Sequence, residues 1–61
     1  MLHELERGTR LALKDGATVE VVDNPKDGSW IYVRHLEPAG EAVGAEELVF
    51  AEDVVEVLED R

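Results

Sequence analysis

The stretch Ser29-Trp30-Ile31-Tyr32-Val33-Arg34-His35-Leu36 decides the fold. Trp30, Ile31, Tyr32 and Val33 are consecutive aromatic and β-branched residues, which fit a pleated surface better than a helix. Strand alternation sends Trp30, Tyr32, Arg34 and Leu36 to one side and Ile31, Val33 and His35 to the other. Both sides carry apolar residues, so neither face of this strand is simply wet. The expectation is that Ile31 and Val33 fill the interior while the Trp30 row faces outward. Aromatics and Arg are the residue types that anchor protein interfaces, and an outward Trp30, Tyr32 and Leu36 form a patch that a monomer seldom leaves bare. Two other placements compete: the tail residues Met1, Leu2 and Leu5 fold over the row, or Trp30 closes one end of the core.

On the N-terminal side, Asp23-Asn24-Pro25-Lys26-Asp27-Gly28 is rich in turn formers, and Pro25 has no N–H to give a ladder, so pairing stops there. Before it, Thr18–Asp23 reads as a β-branched strand with Val19 and Val21 on one face and Glu20 on the other. Lys14-Asp15-Gly16 is a tight-turn signal, because Asp-Gly tolerates the positive φ of hairpin turns. Leu11 and Leu13 alternate with Arg10, Ala12 and Lys14 as a half-buried strand, so the two strands make a hairpin. On the C-terminal side, residues 37–45 contain Pro38, Gly40 and Gly44 and form a loop. Residues 46–51 make a fourth strand through Leu48, Val49 and Phe50. Residues 51–54 suit a single helical turn that Glu52 or Asp53 could cap, and residues 55–58 a last strand with Glu56 outside. Residues 1–8 are a tail whose Met1, Leu2 and Leu5 suit one helical turn before Gly8 breaks it, residues 9–58 a single small domain, and residues 59–61 a frayed end. Five short strands at this spacing predict an all-β fold: a small five-stranded antiparallel barrel with one short 3-10 turn before the last strand.

The segment Asp27–Leu58, DGSWIYVRHL followed by a Gly-rich loop and ELVFAEDVVEVL, resembles the second half of a Src-homology-3-like barrel. In that fold a Trp opens the third strand, a short helical turn follows the fourth, and a hydrophobic last strand closes the barrel. The first half, GTRLALKDGATVEVVD, is similar to the opening of KOW and Tudor-like small barrels. The resemblance implies three ligand classes. Peptide-binding members imply Trp30 as a ligand contact, although this chain has neither their ALYDY-type run nor their second adjacent Trp. The KOW likeness implies ribosomal or polymerase partners and RNA, usually with basic loops. The Tudor likeness implies an aromatic cage for a methylated side chain, whereas this strand offers two aromatics on one face.

The chain has 61 residues, with fifteen Asp and Glu against six Lys and Arg, a formal charge of 6 − 15 = −9, and no Cys. A chain this short buries only about 60% of its unfolded surface, enough for one small core. Without Cys it has no disulfide staple and no thiolate metal cage. Its longest apolar runs fall far below the roughly 18 residues of a membrane span, and His3, Glu4, Glu6 and Arg7 do not read as a signal peptide, so the expected location is the cytoplasm. The negative potential repels nucleic-acid phosphates and anionic lipids and favours a basic partner. The same composition, acid-rich and Lys-poor with few aromatics, resembles that of proteins from salt-loving microbes. At molar salt the Debye length shrinks to about 3 Å, and the repulsion from nucleic acid largely vanishes.

Nothing here calls for catalysis. Ser29 lies in a turn with no base patterned near it, and His3 and His35 belong to different elements. The pairs Glu46-Glu47, Glu52-Asp53 and Glu59-Asp60 put adjacent acids on opposite faces. No ligand spacing calls for a metal, and the glycines are explained by turns rather than by a phosphate loop. The expected function is that of a non-catalytic protein-interaction or assembly module without cofactor or metal. It would bind a protein partner, basic in character, or a second copy of itself, through Trp30, Tyr32, Arg34 and Leu36. The alternative from another class is a nucleic-acid-associated KOW-like or Tudor-like module working at high salt, with Arg10, Lys14, Lys26 and Arg34 as phosphate contacts.

Overall fold

A computed structural model describes residues 5–26, 29–38 and 40–59. Residues 1–4, half of the segment expected to make an N-terminal helical turn, lie outside the described residues, and residues 5–8 contain a turn rather than a helix. Five strands follow in order: β1 (Arg10–Leu13), β2 (Thr18–Asp23), β3 (Trp30–Glu37), β4 (Glu46–Phe50) and β5 (Val54–Glu59), with a 3-10 turn (Ala51–Asp53) between the last two. All pairings are antiparallel, in one sheet of order β4-β3-β2-β1-β5.

The β1–β2 hairpin forms where Asp15-Gly16 predicts it. Gly16 takes φ 95°, a left-handed conformation that costs glycine nothing. The Asp15 carboxylate accepts the Ala17 N–H at 2.9 Å, and Leu13 N–H donates to the Ala17 carbonyl at 2.9 Å. At the next turn the backbone of Lys26 is left-handed (φ 67°). The Asn24 side chain holds it there, its Oδ1 accepting the Lys26 N–H at 2.8 Å.

One face of the sheet is the core. Leu11, Leu13, Ala17, Val19, Val21, Ile31, Val33 and Val49 are buried together, and Leu5 and Val54 pack against them. The alternation expected of β1, β2 and β3 is the alternation observed. Ile31 and Val33 are fully buried, while Tyr32 between them is 42% exposed.

The expected closure into a barrel is not seen, because β4 and β5 stand at opposite edges and do not pair. The register between β1 and β5 slips twice, between Arg10 and Leu11 and between Ala12 and Leu13. Each slip turns the edge strand relative to its neighbour. Val55, Val57 and Leu58, read from the sequence as the closing strand, are consequently exposed at 62%, 49% and 46%. β5 runs one residue further at each end than residues 55–58, and Asp60 and Arg61 lie outside the described residues. The cap expected from Glu52 or Asp53 is also not made. Phe50 occupies the N-cap position of the 3-10 turn without a side-chain hydrogen bond, and Asp53 instead meets Lys14 at 3.6 Å.

Candidate functional site

The solvent side of β3 and β4 is built by pairing. Trp30 stands opposite Phe50 and Tyr32 opposite Leu48. Directly paired residues of an antiparallel ladder share a face, so these four side chains make one patch. The Trp30 and Tyr32 rings meet edge to face, with centroids 5.6 Å apart and planes at 88°, a favourable arrangement of ring quadrupoles. Tyr32, Leu48 and Phe50 are 42%, 38% and 48% exposed. The chain has one Trp, one Tyr and one Phe. All three lie on this outer face, and the core is built entirely from Leu, Ile, Val and Ala.

Leu48 and Phe50 are members of this site that the sequence reading placed only as strand residues. Their signal was the alternation around Val49, but their neighbours on β3 depend on register, which the local sequence does not state.

Farther along the same face the chemistry changes. Arg34 lies between Glu20 of β2 at 3.5 Å and Glu46 of β4 at 3.1 Å. The register continues the row to Arg10 on β1, opposite Glu20. Arg10, Glu20, Arg34 and Glu46 therefore alternate in sign across four strands. Opposite charges side by side stabilise a ladder modestly, and this Arg34 is engaged within the sheet. Leu36, half-buried, lies beyond Arg34 and apart from the aromatic pair. An open depression lined by Arg7, Val22, Asp23, Tyr32, Arg34 and Glu46 separates the charged and aromatic parts. It opens where β2 carries an extra residue, since Val21 pairs with Val33 and Asp23 already with Tyr32.

Of the four cations proposed as phosphate contacts, Arg10 and Arg34 flank Glu20 in one row, and the two Lys lie apart from them. Arg10 is on β1 and Arg34 on β3, Lys14 follows β1 beside Asp53, and Lys26 in the β2–β3 connection meets Glu6 at 3.2 Å. The inner end of β3 holds one more polar contact, the His35 ring, 15% exposed, hydrogen-bonded to the Glu47 carboxylate. Glu46 and Glu47 thus point to opposite faces as adjacent strand residues must, and each finds a partner. Among the described residues, no three His, Asp or Glu side chains are placed to hold a metal ion, and no helix is long and apolar enough to cross a membrane. No protein-family model matches the chain, and no curated protein or solved structure is similar to it at a significant level.

Proposed function

We propose that this chain is a small, non-catalytic protein-interaction or assembly module of Src-homology-3-like architecture, which binds a protein partner through the outer face of β3 and β4. One observation carries the reading: every aromatic side chain of the protein is spent on the outside of the sheet, in a contiguous Trp30-Tyr32-Leu48-Phe50 patch. A core this small gains much from a buried ring, so a half-buried Trp30 beside exposed Tyr32, Leu48 and Phe50 favours a contact outside the chain. The strand order and the 3-10 turn before β5 support the architecture. Arg34, tied to Glu20 and Glu46, borders the patch, and Leu36 extends the same side of β3 beyond it. The acidic surface selects a basic partner, and the composition suits a cytoplasm of high salt. The dispersal of Arg10, Lys14 and Lys26 supports this reading over the nucleic-acid one.

The test compares the natural chain with Phe50→Asp in sedimentation across concentration and in affinity capture from its own cells, with thermal melting as a control. Expected is a partner, or a self-association, that the natural chain shows and Phe50→Asp loses while still folded. Identical behaviour of the two folded chains would remove the patch as the binding surface. Tight RNA binding that survives Phe50→Asp would promote the nucleic-acid reading.

A further inference from the structure

The free edge of β4 has a chemistry of its own. His35 N–H donates to the Ala45 carbonyl at 2.8 Å, and at the other end Ala51 N–H donates to the Ser29 carbonyl at 3.1 Å. Between them the register runs without a slip from Arg34 opposite Glu46 to Trp30 opposite Phe50. Hydrogen-bonded pairs alternate along an antiparallel ladder, so Glu47 and Val49 bond towards β3. The N–H and C=O groups of Glu46, Leu48 and Phe50 then point away from the sheet. Among the described residues no strand takes them up.

Beside this edge, on the core side, is a cleft of about 210 Å³. Leu13 and Val49 give it an apolar floor, and the carboxylates of Asp15, Glu47 and Asp53 stand around it. Asp15 accepts the Ala17 N–H, Glu47 holds the His35 ring and Asp53 lies 3.6 Å from Lys14, the one Lys or Arg of the lining, so the acids outnumber the cations. A strand laid along β4 would send alternate side chains two ways. Those on the outer side would continue the Leu48 and Phe50 row. Those on the inner side would cross Leu13 and Val49 to reach the carboxylates, a path that suits a long apolar stem ending in a cation.

We propose that β4 accepts an extended segment of a partner protein as a sixth strand, and that this segment alternates apolar residues with Lys or Arg. This rests on the protein-interaction reading and names the chemistry of its partner. Charge complementarity selects the occupant. A second copy would bring another −9 to the same edge, whereas a basic segment offsets the carboxylates of the cleft. Main-chain pairing supplies affinity and the two side-chain rows supply specificity, as in other strand-addition complexes.

The test follows amide hydrogen exchange of the whole chain on adding a blocked peptide of alternating valine and lysine, with a valine–glutamate peptide of equal length for comparison. Expected is slowing at the Glu46, Leu48 and Phe50 amides by about tenfold or more, weaker as salt rises, and absent with the glutamate peptide. Leu48→Pro, which removes an N–H that bonds nothing within the sheet, abolishes the effect. If that variant does not fold, a synthetic chain N-methylated at Leu48 serves the same purpose. The proposal fails if the three amides exchange unchanged with excess lysine peptide, if they are already slow in the dilute free chain, or if raising the chain's own concentration protects them. A natural partner lost by Phe50→Asp but indifferent to Leu48→Pro would overturn strand addition while leaving the outer-face reading standing.

Discussion

The outer side of β3 consists of two unlike halves. Trp30 and Tyr32 face Phe50 and Leu48 and meet edge to face, with Trp30 half-buried and Tyr32 exposed. Two residues farther on, Arg34 faces Glu46 and Glu20 and is tied to both. In sequence these residues form one continuous row, and the neighbouring strands divide it. A half whose side chains satisfy one another serves the sheet. A half that leaves apolar side chains exposed has interaction energy left for something else, and the proposal that the Trp30 half is the binding surface rests on this difference.

Both halves share the same reverse side, and the largest effect lies there. Ile31→Ala removes a fully buried side chain and should cost about 2–4 kcal/mol, enough to unfold much of so small a domain. Tyr32→Ala, one residue away, should cost less than about 1 kcal/mol by the same urea titration. Equal losses would mean that the outer face is part of the fold rather than a surface.

Next in size is the effect on binding. Trp30→Ala should weaken a partner captured by the natural chain by about 2 kcal/mol, as interface anchors do. Arg34→Gln, in the other half, should change the affinity far less, as isothermal titration would show. The reverse ranking would move the site to the charged half.

Arg34→Gln should instead appear in stability, as a loss of about 0.5 kcal/mol, the usual worth of exposed ion pairs. That loss should shrink in molar salt, since screening removes what the pairs supply. A loss independent of salt would mean that Arg34 acts through packing of its stem. For the whole chain the sign is opposite. Fifteen acids against six cations repel one another in the folded state, so adding chloride should raise the melting temperature. A flat or falling melting curve would mean that the cross-strand pairs outweigh the net repulsion.

Much of the fold was legible because it depends on neighbours in sequence. The period of two in Leu11–Leu13, Val19–Val21 and Ile31–Val33 marks which side chains go inside. Asp15-Gly16 marks the hairpin through its tolerance of positive φ, and Pro25 ends β2 by withholding an N–H. Outwardness of Trp30 and Tyr32 follows from the same alternation. Membership of Leu48 and Phe50 in their patch does not, because register joins residues 16 to 20 positions apart. The company Arg34 keeps is likewise a matter of register.

Alternation, turns and the balance of charge were thus determined by the sequence alone, since each arises within a few residues or from a simple sum. Only the tertiary structure decided that the sheet stays open, that β5 leaves Val55 and Val57 exposed, and that among the described residues no strand pairs with the outer edge of β4 at Glu46, Leu48 and Phe50. The physical reason is that closure depends on the accumulated twist and slippage of five strands, a property of the assembled sheet that no single strand carries.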